Sequence, residues 1–177
     1  RVNVTLTPQQ PGSAIKPLTF AAALSPVDGG SPDWTAADIF WDVEVDYPQF
    51  DGSTYSPVNY DGRFHGPVRL RTALANSYNV PAVLALQDIG IPRYLDFARQ
   101  MGIAGWTGDS SNYGLSLTLG GAEVTPLDLT TAYATFANGG QHVEPVSILR
   151  VNKTNGEVVY EAPETTGEQV LDPRIAF

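Results

Sequence analysis

The stretch Gln10–Pro17, Gln-Pro-Gly-Ser-Ala-Ile-Lys-Pro, limits the possible folds of this chain more than any other, because an apolar, alanine-rich run follows it from Leu18 to Leu24. This order predicts a helix that begins near Ala14. Ser13 and Lys16 would then lie on one helical face, where the hydroxyl and the amine can meet. A serine paired with a lysine is one form of an activated nucleophile. Taken alone, the stretch also fits a helix-capping serine and a solvated lysine.

The predicted position of Ser13 has two consequences. A serine near the first turn of a helix lies at the positive end of the helix dipole, which favours developing negative charge. Pro17 has no N–H that could pair with the Ser13 carbonyl. We therefore expect other parts of the chain to hold this turn in place.

Composition excludes several classes of function. The chain has 177 residues, 42% of them hydrophobic, which fits one soluble globular domain or part of one. Its net charge of −9 argues against nucleic acid or an anionic membrane surface as a partner. Without cysteine, the chain has no disulfides and no thiolate chemistry. His65 and His142 lack ligand-like spacing and are expected in loops or at the surface, so we expect neither a metal nor a cofactor.

The first part of the chain is expected to contain a strand, the helix at Lys16 and then an irregular region. Val2–Thr7 alternates apolar and polar residues, which predicts a strand. The helix is expected to end near Ser25-Pro26. Residues 25–67 are rich in Pro, Gly, Asp, Ser and Tyr, but apolar residues recur among them. We expect an ordered loop region with short strands or turns, in which the aromatic residues serve packing rather than ligand stacking.

Proline and glycine signals predict the later elements. The predicted helices are Val68–Asn76, Pro81–Gly90, Pro92–Gly102 and a helix that starts with the capping box Thr125–Asp128 and ends at Asn138-Gly139-Gly140. Two strands joined through Asn155-Gly156 are predicted at Val143–Val151 and Glu157–Glu161. Asp172-Pro173 begins a further helix close to Phe177, from which we expect that the chain is truncated.

A second candidate for chemistry is Ser77-Tyr78-Asn79, at the junction of two predicted helices. A hydroxyl there can relay a proton, and an amide can hold a substrate carbonyl or a neighbouring lysine. Taken alone the tripeptide is a weak signal, since Ser110-Ser111-Asn112 has the same pattern and either can be a polar turn.

Ser13, Lys16, Ser77 and Asn79 together resemble the penicilloyl serine transferases, which carry Ser-x-x-Lys, Ser-x-Asn and Lys-Thr-Gly. More narrowly, the chain resembles the transpeptidase domain of class A, bifunctional penicillin-binding proteins. The resemblance is specific because it is collinear over nearly the whole chain. It is carried by Gln10–Pro17, Tyr55–Tyr60, Gly66–Pro81, Leu119–Leu127 and Ala132–Gly140.

The resemblance implies a fold and a partial domain. The expected fold class is α+β and predominantly helical: the helical part of the serine β-lactamase and penicillin-binding transpeptidase fold, with a small β-hairpin and most of the central sheet missing. Lys-Thr-Gly is absent. The only Lys-Thr, Lys153-Thr154, is expected in the hairpin turn and not in a strand lining a cleft. Residues 1–177 are therefore expected to be a transpeptidase domain truncated at both ends.

The resemblance also implies roles and partners. Ser13 would attack D-alanyl-D-alanine stem peptides of peptidoglycan, Lys16 would act as the base, Ser77 would relay the proton, and Asn79 would orient Lys16 and bind the substrate amide. β-Lactam antibiotics would acylate Ser13. The parent protein would be membrane-anchored, with a glycosyltransferase domain, at the extracytoplasmic face of the cell membrane. The isolated fragment is expected to be inactive.

Two alternatives remain from the sequence. The core motifs fit a β-lactamase or D,D-carboxypeptidase, in which water takes the acyl group. They also fit a non-catalytic scaffold module that has kept the fold. Rapid turnover of a β-lactam would favour the lactamase, and a degenerate third motif in the complete protein would favour the scaffold.

Overall fold

The first helix, α1 (Lys16–Leu24), lies at the centre of the fold. The structure is a computed structural model that describes residues 3–26, 30–49 and 52–177. The sequence predicts a helix from near Ala14; in the structure a 3-10 turn, Gly12–Ile15, leads directly into α1 at Lys16. The buried residues of α1 include Leu18, Thr19, Phe20 and Ala21–Ala23. A helix that is apolar on nearly every side belongs in the interior, and α1 packs against the next three helices of the chain.

Helices form most of the core. The helices after α1 are α2 (Leu70–Ala75), α3 (Asn79–Ile89), α4 (Ile91–Gln100), α5 (Pro126–Ala137) and α6 (Pro173–Ala176). Two further 3-10 turns, Ser110–Asn112 and Leu115–Leu119, connect α4 to α5. Two predicted boundaries are confirmed: Thr125 caps α5 by accepting from the Asp128 N–H, and Gly90 follows the last residue of α3.

The strands are short and pair two by two. In the described part of the chain they are β1 (Ile39–Asp42), β2 (Tyr47–Pro48), β3 (Thr54–Tyr55), β4 (Gly66–Arg69), β5 (Gln141–His142), β6 (Arg150–Asn152), β7 (Val158–Glu161) and β8 (Glu168–Gln169). Antiparallel pairs form between β1 and β4, β2 and β3, β5 and β8, and β6 and β7. The fold is therefore α+β and predominantly helical, as the sequence predicts.

The described residues of the 25–67 region, 25–26, 30–49 and 52–67, are ordered by packing, as expected. Trp34 stacks on Phe40 with ring centroids 3.7 Å apart, and its indole Nε1 donates to Asp88 of α3 at 2.8 Å. Both rings are buried. These contacts anchor β1 against the helices, and β1 in turn pairs with β4 just ahead of α2. Phe50, one of the apolar residues that recur in this region, lies outside the described residues.

Three boundaries differ from the sequence prediction. Val4–Leu6 is a 3-10 turn and not a strand, because the Asn3 side chain accepts from the Thr5 N–H and favours a turn; Val2 lies outside the described residues. The helix predicted from Val68 begins at Leu70, because Val68 pairs with Phe40 in the sheet. The strand predicted at Val143–Val151 is confined to Arg150–Asn152, where β7 is opposite.

Candidate active site

Lys16, the first residue of α1, is buried with 0% of its surface exposed. Its Nζ donates to the Ser77 carbonyl oxygen at 2.5 Å and to Asn79 Oδ1 at 2.6 Å, and it lies 3.0 Å from Ser77 Oγ. These partners are more than 60 residues away in sequence. The fold therefore brings Lys16 together with both functional residues of the Ser77-Tyr78-Asn79 tripeptide.

The local chain geometry at the end of α2 presents Ser77 to the amine. The Ser77 N–H donates to the Leu74 carbonyl and the Tyr78 N–H donates to the Ala73 carbonyl. This pair of hydrogen bonds defines a Schellman motif at the end of the helix. Ser77 occupies the left-handed position of this motif, with φ +57°. Most helices have glycine there, because a side chain is strained in that conformation. The turn points both Ser77 oxygens at Lys16, and α3 begins two residues later with Asn79.

Ser13 lies in the exposed 3-10 turn immediately before α1. Side chains three residues apart eclipse each other in such a turn, which places Ser13 on the face of Lys16. The Lys16 N–H donates to the Ser13 carbonyl, the bond that Pro17 cannot supply. Within the described ranges, the Ser13 hydroxyl has no hydrogen-bond partner. The structure thus joins three of the four predicted residues by hydrogen bonds, and Ser13 precedes Lys16 by three residues in the turn that leads into α1.

Contacts from distant segments hold the Ser13 turn, as the missing Pro17 N–H suggests. The Tyr133 hydroxyl of α5 donates to the Ala14 carbonyl at 2.9 Å. Gln9 and Val124 exchange two backbone hydrogen bonds of 2.9 Å. Gly120 lies so close to Gly12 that a Cβ at Gly120 would overlap the Gly12 backbone. The segment around Leu119–Leu127 therefore forms the support beneath the turn.

Burial changes the acidity of Lys16. Removal from water disfavours the charged ammonium, and it lowers the pKa of Lys16 from 10.5 to about 8. The lysine is thus moved toward the range in which a base can act near neutral pH.

A second group of residues, which the sequence did not single out, lies behind the site. Asn59 accepts from the Asn79 N–H at 2.7 Å, and its own amide donates to both oxygens of Asp42 at 2.9 and 2.8 Å. The Asp42 carboxylate also accepts from the His65 backbone and lies 2.7 Å from His65 Nδ1. This hydrogen-bond network links residues that are 17 to 23 positions apart in sequence, so no local pattern reveals it. Asn59 itself lies within the Tyr55–Tyr60 stretch of the resemblance.

His65 was expected in a loop or at the surface, and it precedes β4 with a quarter of its side chain exposed. Its ring stacks on Tyr78 with centroids 4.0 Å apart. Hydrogen bonding to Asp42 raises the pKa of His65.

A cleft of about 170 Å³ opens beside Ser77, between the Asn59–Asp61 segment and Asn76–Tyr78. A larger cavity of about 750 Å³ lies elsewhere, between Tyr47–Gln49 and the 110–115 segment, and includes none of the four site residues. Of the four site residues, Ser77 lines this small cleft, whereas Ser13, Lys16 and Asn79 do not.

Neither a metal-binding cluster nor a membrane-spanning helix occurs among the described residues. Among them, no group of three or more histidine, aspartate or glutamate side chains is placed to hold a metal ion. None of the helices in the described ranges has the length and apolar character needed to cross a membrane.

Comparison with known proteins gives the family. The family model for the penicillin-binding protein transpeptidase domain matches residues 2–177. Penicillin-binding protein 1A of Pseudomonas aeruginosa is 36% identical over 155 residues, covering 87% of this chain and 18% of that protein. Penicillin-binding protein 2D of Bacillus subtilis is 36% identical over 176 residues, covering 98% of this chain and 24% of that protein. The chain therefore spans about a fifth of the length of these relatives.

A solved structure agrees with the family. The crystal structure of penicillin-binding protein 1A from Haemophilus influenzae superposes with a TM-score of 0.78 at 30% identity, covering 93% of this chain and 23% of that one. The chain belongs to the penicillin-binding protein transpeptidase domain family, within the class A-like branch that its relatives define.

Proposed function

We propose that this chain carries the nucleophile half of a peptidoglycan D,D-transpeptidase, in which Ser13 forms the acyl-enzyme. The observation that carries the proposal is the buried Lys16 amine, held between Ser77 and Asn79 three residues after Ser13. A lysine buried without a carboxylate partner among its hydrogen bonds is costly to a fold, which favours a functional over a structural role.

The surroundings of Lys16 suit a neutral amine that accepts a proton. A neutral amine has two N–H groups and one lone pair. The two obligate acceptors, Ser77 O and Asn79 Oδ1, take the two N–H groups. The lone pair is then left for a hydroxyl, from Ser13 or from Ser77 Oγ at 3.0 Å. Asn79 therefore orients the base as well as binding the substrate amide.

The proposed reaction has two acyl-transfer steps. Ser13 Oγ attacks the carbonyl of the penultimate D-alanine while its proton passes to Lys16 Nζ. The C–N bond then breaks, and the proton reaches the leaving D-alanine amine through Ser77. The amine of a second stem peptide attacks the ester in the reverse sense, which forms the cross-link and frees Ser13.

Part of the catalytic apparatus is not in these 177 residues. The Ser13 N–H serves as one oxyanion donor, and the resemblance places the other on the Lys-Thr-Gly strand. Lys153-Thr154 does not supply that strand: the Gly156 N–H donates to the Lys153 carbonyl at 3.0 Å in the β6–β7 turn, and Lys153 pairs with Glu157 at 2.7 Å. A complete site therefore needs a strand in addition to this chain.

The proposed setting follows from the relatives. The parent protein is a membrane-anchored enzyme with a glycosyltransferase domain, whose transpeptidase domain faces the extracytoplasmic side of the bacterial membrane. Its partners are peptidoglycan stem peptides ending in D-alanyl-D-alanine, and its inhibitors are β-lactams, which present a strained acyl group to the same serine.

The test uses the full-length protein that carries this chain, with a stem-peptide donor and a labelled amine acceptor. Transpeptidation releases D-alanine and incorporates the acceptor, and Ser13→Ala abolishes both. Ser111→Ala, in the second Ser-x-Asn tripeptide Ser110-Ser111-Asn112, serves as the matched control and retains both. Release of D-alanine without incorporation would assign a carboxypeptidase, and rapid β-lactam hydrolysis a lactamase. Activity that survives Ser13→Ala would refute the proposal.

A further inference from the structure

The Asn59 side chain makes four hydrogen bonds behind the candidate site. It is 3% exposed, and it lies 20 residues before Asn79 in the chain. Its Nδ2 donates to the Asp42 carboxylate and, at 2.7 Å, to the Arg63 carbonyl. Its Oδ1 accepts from the Asn79 N–H. Both donor and acceptor groups of the amide are therefore in use.

These partners match an asparagine amide at position 59, held in one orientation. The Asp42 carboxylate and the Arg63 carbonyl can only accept, whereas the Asn79 N–H can only donate. A reversed amide would face acceptors with its oxygen. Aspartate would place a second carboxylate against buried Asp42, and a residue with an aliphatic side chain would leave that carboxylate and the Asn79 N–H without this partner.

The bond to the Asn79 N–H caps α3 from outside the helix. Asn79 is the first residue of α3, and Tyr78 at the capping position makes no side-chain cap. The first N–H groups of a helix need such an acceptor. Next to this bond, Asn79 Nδ2 donates to the Val58 carbonyl at 2.6 Å. Since the nitrogen of the Asn79 amide is engaged by Val58, its oxygen must face Lys16.

Asp42 and His65 fix Asn59 in turn. Asp42 is fully buried, and its carboxylate oxygens contact only Asn59 and His65 among the hydrogen bonds of the described chain. His65 is placed between Asp42 and Asp61, and its ring stacks on Tyr78, the residue between Ser77 and Asn79. The group Asp42, Asn59 and His65 thus contacts the Ser77–Asn79 turn at two points, the Asn79 N–H and the Tyr78 ring.

We infer that Asn59 is a positioning residue for the acylation step: it holds Asn79 so that the Asn79 oxygen faces the Lys16 amine. The inference rests on the proposed function for its kinetic consequence, but the hydrogen bond it invokes is independent of activity. Asn59 contacts neither Lys16 nor Ser13 among its hydrogen bonds, so it acts through Asn79.

A double-mutant cycle in the full-length protein separates positioning from general support of the fold. The readout is the rate of acylation by a fluorescent penicillin. Asn59→Ala is expected to slow acylation by about 10²-fold, the scale of a misplaced catalytic group. In an Asn79→Ala background the same change is expected to cost less than about threefold, because the Asn79 side-chain oxygen that Asn59 positions is no longer present. Asn152→Ala, in the exposed hairpin, is the matched control and leaves the rate unchanged.

Additive losses in the cycle, or an unchanged rate in Asn59→Ala, would overturn the inference. If Asn59→Ala does not fold, the comparison of Asn59→Asp with the reciprocal exchange Asp42→Asn/Asn59→Asp replaces it. The exchange restores a donor opposite a carboxylate and is expected to recover acylation relative to Asn59→Asp; no recovery would contradict the inference.

Hydrogen exchange keeps this inference distinct from the proposed function. If the unaltered protein is not acylated, the proposed function fails, and the Asn79 amide still reports on Asn59. That amide is expected to exchange at least tenfold faster in Asn59→Ala, or in Asn59→Leu where alanine is unstable, while amides in the middle of α1 keep their protection. Unchanged exchange at Asn79 would overturn the positioning role.

Discussion

Ser77 occupies a backbone position that normally belongs to glycine, and it is the only non-glycine residue with positive φ in the described part of the chain. A side chain there costs roughly 1–2 kcal/mol. The Ser77 hydroxyl, which a glycine would lack, lies 3.0 Å from the Lys16 amine. Strain of this kind is found where a fold serves a site rather than its own stability.

Substitution at Ser77 is expected to separate stability from function. Ser77→Gly relieves the left-handed strain, so its free energy of unfolding is expected to exceed that of Ser77→Ala by about 1 kcal/mol. Both variants lack the hydroxyl, and both are expected to lose most penicillin acylation. Urea unfolding and acylation rates of the pair check this. Equal stability of the two variants would show that the position is not strained.

The lowered pKa of Lys16 gives a pH dependence. With a pKa of about 8, roughly a tenth of the molecules carry a neutral amine at pH 7. The acylation rate is therefore expected to rise about tenfold per pH unit below pH 7 and to level off above pH 8. A stopped-flow pH profile measures this, and a rate that is flat from pH 6 to 8 would exclude Lys16 as the base.

The same shift predicts a change in stability with pH. The folded state releases the Lys16 proton near pH 8, whereas the unfolded chain holds it to 10.5. The unfolded state thus binds more protons between these values, so stability is expected to rise with pH from about 8 to 10. Burial raises the pKa of Tyr94, which acts in the opposite sense above pH 10. Lys16→Met should remove the rise below pH 10.

Site residues that lie within a few positions of each other in sequence could be predicted as pairs. Site residues that the fold brings together from distant segments could not. Ser13 with Lys16, and Ser77 with Asn79, are recognisable because each pair lies within one turn. Asp42 and Asn59 share no turn with the site, and their relation to it depends on how β1 pairs and where the 55–65 segment runs. A local sequence pattern does not show which distant segments of the chain come together.

At the scale of elements, the support of the Ser13 turn depends on the close approach of two backbones. Gly120 has φ +87°, and any Cβ there would overlap Gly12. Gly156, in the β6–β7 turn, has the same φ of +87° but open space around its Cβ position. The two glycines therefore differ in contact and not in backbone strain.

Alanine substitution at these glycines isolates the contact. Gly156→Ala is expected to cost about 1–2 kcal/mol of stability from backbone strain alone, with no change in acylation. Gly120→Ala is expected to cost at least about 1 kcal/mol more and to slow acylation at Ser13, because the turn must move. Thermal unfolding and acylation rates test this. Equal effects of the two variants on both measurements would contradict the proposed support.

Helices were predictable because their ends are set by nearby residues, such as Thr125 with Asp128 and the glycine after α3. The short strands were less so. The sequence predicts a helix that begins at Val68, but pairing with Phe40 places Val68 in a strand. Pairing between strands 28 residues apart overrides local preference.

At the scale of the whole molecule, the chain contains the proposed nucleophile Ser13 and the proposed base Lys16 but no Lys-Thr-Gly sequence. Large apolar residues such as Ile148, Leu149 and Val159 are exposed around β6 and β7. The chain covers about a fifth of its relatives' lengths. Its activity on its own and its activity within a complete enzyme are therefore separate questions.

The 177-residue chain alone is expected to react with penicillin at least about 10²-fold more slowly than the full-length protein, the loss caused by removing one oxyanion donor. Parallel labelling of the two proteins at equal concentration measures the ratio. Circular dichroism of the isolated chain establishes that it is folded during the comparison. Equal rates would show that this chain forms a complete site by itself.

The most direct measurement of the central claim is the position of the penicilloyl group in the full-length protein. After reaction with penicillin and proteolysis, mass spectrometry is expected to find the added mass on the peptide containing Ser13, with fragment ions that assign it to that residue. Ser13→Ala is expected to carry no label. A penicilloyl group on Ser77 or on any other residue, or a label that survives Ser13→Ala, would contradict the account.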